Sequence, residues 1–263
     1  MIDEIEVHDL GFVKLLDIMG SDEEVENAAR ISYGEGTRKV SQTRNLIRYL
    51  MRHKHTSPFE MCEVKFHIKL PIFVMRQLVR HRTASLNEYS GRYSVMSNEF
   101  YLPEGDYLQK QSETNRRGRG EVLEGKGLAH FEMNRIFDGA ATAYETLLNQ
   151  DLTRELARIV LPVSNYTEVI WKIDLHNFFH VIKLRMDKHA QQEIQDYSKA
   201  MYEMVVPHFP LCCEAFEDYV LEAETFSKQE MEVLKYEMVE CKAFALEGLS
   251  KRERTEFLEK IGE

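Results

Sequence analysis

No apolar run in these 263 residues approaches the ~20 needed to cross a bilayer, so a membrane-spanning helix is not expected. Cysteine is scarce. Cys62, Cys212, Cys213 and Cys241 show neither zinc-ligand spacing nor a disulfide framework, and the adjacent pair Cys212-Cys213 reads as packed side chains rather than a redox couple. No glycine-rich dinucleotide fingerprint and no Walker loop occurs, so any nucleotide is held by side chains and helix ends. Positive charge is in deficit, with 34 Lys and Arg against 44 Asp and Glu and a pI near 5.6, which disfavours a nucleic-acid binder. The opening run Met1-Ile2-Asp3-Glu4-Ile5-Glu6 lacks the basic-then-apolar order of a signal peptide. What is present, 43% hydrophobic and 30% charged residues, describes a globular chain of one large or two small domains, expected in the cytoplasm.

Against that acidic background, four arginines, Arg76, Arg80, Arg82 and Arg92, share seventeen residues with a single acid, Glu88. An acidic protein that concentrates guanidinium groups in one segment has built a local anion site. Ser85, Ser90, Asn87 and Glu88 add short-range hydrogen-bonding specificity. Gly91 lets the backbone approach a ligand closely.

Elsewhere the pattern mixes helices and strands. Ser21-Asp22-Glu23-Glu24 predicts a capping box opening a helix to about Ser32. A second helix is expected near Thr43 to His53, and a polar turn over His55 to Glu60. Cys62, Val64, Phe66, Ile68 and Leu70 alternate with polar residues and give the clearest strand. Pro71 then starts a helix to about Ala84, burying Ile72, Phe73, Leu78 and Val79 and presenting Arg76, Gln77, Arg80 and His81, so the arginine segment begins on a helix end and spills into a loop. A strand is expected through Tyr93, Val95, Phe100 and Leu102. The polar run Glu104 to Lys126, with Arg116-Arg117-Gly118-Arg119-Gly120, reads as a mobile surface loop or insertion. A long helix, Leu128 to Asn149, is expected to bury Phe131, Phe137, Ala141, Tyr144 and Leu148. Thr153 caps a short helix, Arg154 to Leu161, stopped by Pro162. A strand over Thr167 to Ile173 leads to a helix capped by Asp174, with Leu175, Phe179, Ile182 and Met186 as its apolar stripe. His176 and His180, at i, i+4, have a spacing that can bind metal, but no third ligand is evident and no metal is expected. Helices continue from Ala190, and after about Tyr219 they are mostly charged.

Arginine-rich sites lacking an activated cysteine or a base for serine fit electrostatic binding of a nucleotide, with the reactive chemistry supplied by a cofactor. The run Arg80-His81-Arg82, then Ser85, Asn87 and Ser90-Gly91-Arg92, resembles the signature of the flavin-dependent thymidylate synthases. The resemblance runs from about Leu10 to Tyr219 and weakens between Glu104 and Lys126. It implies methylation of dUMP to dTMP, with methylenetetrahydrofolate as carbon donor, FAD as redox carrier and NADPH as reductant. By the same resemblance, His55, Ser57, Arg80, His81, Arg82 and Glu88 contact FAD. Gln77, Arg80, Glu88, Tyr89, Ser90, Gly91, Arg92 and Arg158 contact the nucleotide, and Arg185 activates the uracil ring. Where many members face the flavin with Asn, Arg and Asn, this chain has Asp174, His176 and His180. The two histidines can keep that role, whereas Asp174 also suits a helix cap. The resemblance further implies a homotetramer with active sites assembled from several subunits. A non-catalytic nucleotide-binding or regulatory protein that kept the arginine site is the alternative from another class. The expected fold is α+β, a central, mostly antiparallel sheet packed by long helices, with a family-like domain over 1–219 and a helical C-terminal extension over 220–263.

Overall fold

The computed structural model describes residues 4–31, 42–113, 118–231 and 255. In chain order it contains β1 (Glu4–Val7), β2 (Gly11–Met19), α1 (Asp22–Arg30), α2 (Thr43–Arg52), α3 (Ser57–Glu60), β3 (Glu63–Pro71), α4 (Ile72–Leu78), β4 (Ser85–Glu88), β5 (Gln109–Gln111), β6 (Arg119–Val122), α5 (Gly127–Asn149), α6 (Arg154–Ala157), β7 (Tyr166–Asp174), α7 (Leu175–Arg185), α8 (Gln192–Val205) and α9 (Pro210–Phe216). The fold is α+β, as expected. Five strands form one antiparallel sheet in the order β1-β2-β3-β7-β4.

Strict alternation makes β3 and β7 the centre of the molecule. Val64, Phe66, Ile68 and Leu70 point to one face with Val169, Trp171 and Ile173, and all seven are essentially inaccessible. Phe178, Val181 and Ile182 of α7 and Ile194, Tyr197 and Met201 of α8 complete that core. The opposite face of the sheet carries polar pairs, including Lys172 with Glu63 at 2.7 Å and Lys69 with Glu99 at 2.8 Å. Gly11, after the β1–β2 turn, has no room for a side chain, because a Cβ there would lie 2.0 Å from the Tyr197 hydroxyl.

Several expectations need correction. Ser21 makes no capping bond; instead the Asp22 carboxylate accepts from the backbone N–H groups of Leu211 and Cys212, capping α9. The first helix ends at Arg30, and Ser32 lies outside the described residues. Helix α4 stops at Leu78 rather than continuing to Ala84, and it buries Val74, Met75 and Leu78 while Val79 is exposed. The segment must leave the helix there to bring Ser85–Glu88 alongside β7 as an edge strand, where a loop was expected. Thr153 makes no side-chain cap, and the helix after it divides into α6 and a 3-10 turn over Arg158–Val160.

No strand forms between Tyr93 and Pro103; an isolated bridge pairs Phe100 with Asn165, and Tyr93 and Val95 are exposed. In α5 only Tyr144 is buried, its hydroxyl accepting from the Met96 N–H at 3.0 Å, while Leu128, Phe131 and Ile136 are exposed. Of the polar run after Glu104, β5 and β6 pair antiparallel, whereas Arg116 and Arg117 lie outside the described residues.

The chain divides into two compact units, Met1–Leu221 and Glu222–Glu263. In the second, Ser227 and Glu230 form a capping box, Glu230 N donating to Ser227 Oγ at 3.3 Å and Ser227 N to Glu230 Oε2 at 2.7 Å. Most of the charged helices expected beyond that point, and Cys241, lie outside the described residues.

Candidate functional site

The arginine segment folds as three consecutive pieces: the C-terminal turn of α4, an exposed turn, and the edge strand β4. Arg80 and Arg82 sit in the turn, exposed, and neither makes a hydrogen bond or ion pair among the described residues. Strand β7 leads directly into α7, which delivers Arg185 at its last position. There Arg185 Nε donates to His81 Nε2 at 2.9 Å, and Nη2 donates to the carbonyl of Gln77 at 3.2 Å. His180, one turn earlier on α7, places its ring 6.3 Å from that of His81 in an edge-on arrangement. Burial, helped by the Arg185 and His180 charges, pushes the His81 pKa down from 6.5 to about 4. His81 is therefore neutral near pH 7 and can accept the Arg185 N–H. Burial and then Arg80 lower the pKa of Arg185 itself. The charged guanidinium is thus less well solvated than a surface arginine and gains more from an anionic partner.

A second cluster lines a cavity of about 280 Å³, where Glu88, Tyr89, Ser90 and Gly91 face Arg158, Asn165 and Thr167. Glu88 is fixed by Thr167, whose hydroxyl donates to Oε1 at 2.9 Å. Ser90 turns the chain, its carbonyl accepting from the N–H groups of Tyr93 and Ser94. Gly91 is buried against Arg158, and a Cβ there would meet Met96 Sδ at 2.8 Å and Arg158 Cδ at 3.1 Å. Arg158 makes no ion pair among the described residues. Arg92 points elsewhere, its Nε bonded to the exposed Glu155 at 3.0 Å.

The expected site residues therefore fall into groups. The structure brings Gln77, His81, His180 and Arg185 together with Arg80 close by, and gathers Glu88 to Gly91 with Arg158 in the cavity. His55 and Ser57, both exposed, flank the α2–α3 connection, and among the described residues no hydrogen bond or ring contact ties them to either cluster. His176 is half-buried on the first turn of α7. Asp174 is the N-cap of α7, Oδ1 accepting from Asn177 N at 2.9 Å and Oδ2 from Asn177 Nδ2 at 2.7 Å. Reading the sequence alone missed Gln191, whose Oε1 accepts from Gln77 Nε2 at 2.5 Å. It also missed Thr167 and Glu155. Gln191 directly precedes α8, and nothing in its spacing pointed to Gln77. Among the described residues no cluster of His, Cys, Asp or Glu could hold a metal ion.

A family model described as "Thymidylate synthase complementing protein" matches residues 14–211. A flavin-dependent thymidylate synthase from Ehrlichia ruminantium (strain Gardel) is 50% identical over 99% of this chain and 89% of its own length. One from Dictyostelium discoideum is 46% identical over 98% of this chain and 86% of its own. This chain belongs to the flavin-dependent thymidylate synthase family. Among solved structures, the UMP/dUMP methylase PolB from Streptomyces cacaoi, bound with 5-Br dUMP, superposes with a TM-score of 0.75 at 33% identity. That match covers 82% of this chain and 98% of PolB. In this member of the family, Asp174 caps α7 through one carboxylate oxygen and holds the Asn177 side chain with the other, while the ring of His180 faces His81.

Proposed function

We propose that this chain is a flavin-dependent thymidylate synthase that reductively methylates dUMP to dTMP. Methylenetetrahydrofolate donates the carbon, NADPH is the reductant, FAD carries the hydride, and no enzyme nucleophile attacks the ring. The observation that carries this reading is Arg185, half-buried and held by neutral His81 and the Gln77 carbonyl, with Nη1 left unbonded among the described residues. A guanidinium set against the imide edge of uracil favours the ionised ring and lowers its pKa. That raises electron density at the carbon to be methylated. The described cysteines support a route without covalent attack. Burial pushes Cys62 up to about 11 and Cys213 to about 12, and raises Cys212 as well, so none is a thiolate near pH 7.

Arg158 and the Ser90 hydroxyl supply donors for the phosphate of dUMP, and Glu88, Tyr89 and Gly91 shape its surroundings, whereas Arg92, paired with Glu155, reaches the nucleotide only by leaving that partner. The name of PolB supports dUMP as the occupant of this kind of site. The remaining donors fit FAD. Arg80 and Arg82, without ion pairs among the described residues, are cations suited to its diphosphate, and His55, Ser57, His81, Glu88, His176 and His180 offer polar contacts, with Asp174 chiefly holding α7 in place. Bound FAD supplies the hydride transfer that no side chain here can perform.

The chain is expected to work as a homotetramer in the cytoplasm with active sites shared between subunits. Exposed Leu128, Phe131 and Ile136 on α5 support self-association. No described helix is long and apolar enough to cross a membrane. Anaerobic titration of the purified protein with FAD and then NADPH, followed by dTMP analysis after adding dUMP and methylenetetrahydrofolate, tests the whole reading. Bound flavin that bleaches and dTMP that accumulates are the expected results. A protein that binds dUMP but no flavin would instead be a non-catalytic nucleotide-binding relative.

A further inference from the structure

A second and larger cavity, of about 610 Å³, lies between the β5–β6 pair and the start of α8. In a chain of net charge −10, no carboxylate lines it among the described residues. Its walls carry three cations, Lys110, Arg119 and Lys188, together with His189 and five glutamines. Arg119 spends only Nη2 on the buried Glu193, at 2.5 and 2.6 Å, leaving Nε and Nη1 unbonded among the described residues. Lys110 lies 3.5 Å from exposed Glu121, and His189 bonds Asp187 at 2.9 Å. Lys188 is exposed and makes no ion pair among the described residues, although its charge acts on the neighbouring Asp187 carboxylate.

Cations alone would suit any anion, but the glutamines narrow the class. Each amide offers a carbonyl acceptor as well as two donors. Phosphate oxygens near pH 7 mostly accept and would leave those carbonyls without partners, at a cost wherever water is excluded. A chain of carboxylates joined by amide bonds supplies N–H donors for the glutamine carbonyls and charged acceptors for the lysines and arginine. The cavity also adjoins the Arg185 cluster. Gln191, one of its wall residues, accepts from Gln77 at 2.5 Å, and the Gln77 carbonyl accepts from Arg185 at 3.2 Å.

We propose that this cavity is a subsite for the γ-glutamyl tail of the folate co-substrate, with Lys188 and Arg119 binding its carboxylates and the glutamines its amide links. The inference rests on the thymidylate synthase reading given above. Because Gln191 belongs both to the cavity wall and to the bond with Gln77, an occupied subsite also steadies the side chain of Gln77.

Steady-state kinetics with monoglutamyl and triglutamyl methylenetetrahydrofolate test it in the wild type, Lys188→Glu and Lys188→Arg. The expected result is a triglutamyl KM about tenfold below the monoglutamyl KM in the wild type, the effect of one or two charge-assisted hydrogen bonds. Lys188→Glu abolishes most of that preference without changing kcat or the KM for dUMP, and Lys188→Arg retains it. Equal KM values in the wild type, or a preference that survives Lys188→Glu, would overturn the subsite while dTMP formation from the monoglutamyl form still upheld the enzyme. A Lys188→Glu effect on the KM for NADPH alone would overturn it too, by assigning the cavity to a dinucleotide phosphate. Failure to form dTMP from either folate would remove the function and the subsite together.

Discussion

At the scale of single residues, the contact between Arg185 and His81 joins structure to chemistry most directly. With its pKa lowered from 6.5 to about 4, His81 is neutral in the folded protein over a range where the unfolded chain would take up a proton. The sign follows: His81 disfavours folding increasingly as pH falls from about 6.5 towards 4, and has no such effect above that window. Acid denaturation of His81→Asn, compared with wild type, is expected to show a shallower loss of stability between those pH values. Its kcat should also fall about 10- to 100-fold if the amide is poorly aligned for the Arg185 N–H, as for the loss of one hydrogen bond to a charged group. Gly91 gives a second test. Gly91→Ala brings a methyl group to 2.8 Å from Met96 Sδ and 3.1 Å from Arg158 Cδ, so Arg158 must shift. The KM for dUMP should rise about tenfold, with a stability loss of about 1–3 kcal/mol from overpacking. An unchanged dUMP KM would mean that Arg158 does not bind the nucleotide.

Individual elements differ in how openly the sequence declares them. Strands β3 and β7 are legible because one face of each is fully buried, and alternation is the signature of that burial. Strand β4 is not, since Ser85, Leu86, Asn87 and Glu88 are all exposed and only pairing with β7 makes them a strand. For the same reason α4 ends early, because the route to the sheet edge decides its length. The Asp174 cap was legible from its place before an apolar helix, whereas Asp22 caps a helix almost 190 residues away, beyond any local pattern. Among the candidate site residues, the arginine run stands out by its charge and Arg185 only by the family resemblance, whereas Gln191 and Thr167 make contacts that sequence separation hides. Asp174→Asn is expected to keep the α7 cap and stay within about 0.5 kcal/mol of wild type. Asp174→Ala should cost about 1 kcal/mol and a few degrees in melting temperature. Thermal melts of both variants check this, and equal Tm values for all three proteins would exclude the capping role.

For the whole molecule, Arg80, Arg82 and Arg158 are exposed and make no ion pair among the described residues. The long helix α5 leaves Leu128, Phe131 and Ile136 uncovered, which explains why its expected buried side did not appear in one chain. Reading α5 as a subunit contact accounts for its pattern. Light scattering of a Leu128→Glu, Phe131→Glu double variant is expected to show smaller species, with dTMP formation falling at least tenfold. A variant still of wild-type mass would remove this helix from the assembly.

The central claim is that a fixed guanidinium activates the pyrimidine, and it is tested by single-turnover dTMP formation in Arg185→Ala, measured beside the visible spectrum of its flavin. The account predicts that FAD stays bound and is reduced by NADPH while dTMP formation falls at least about a thousandfold, the scale of losing one preorganised electrostatic contact. Wild-type dTMP formation in that variant would contradict it.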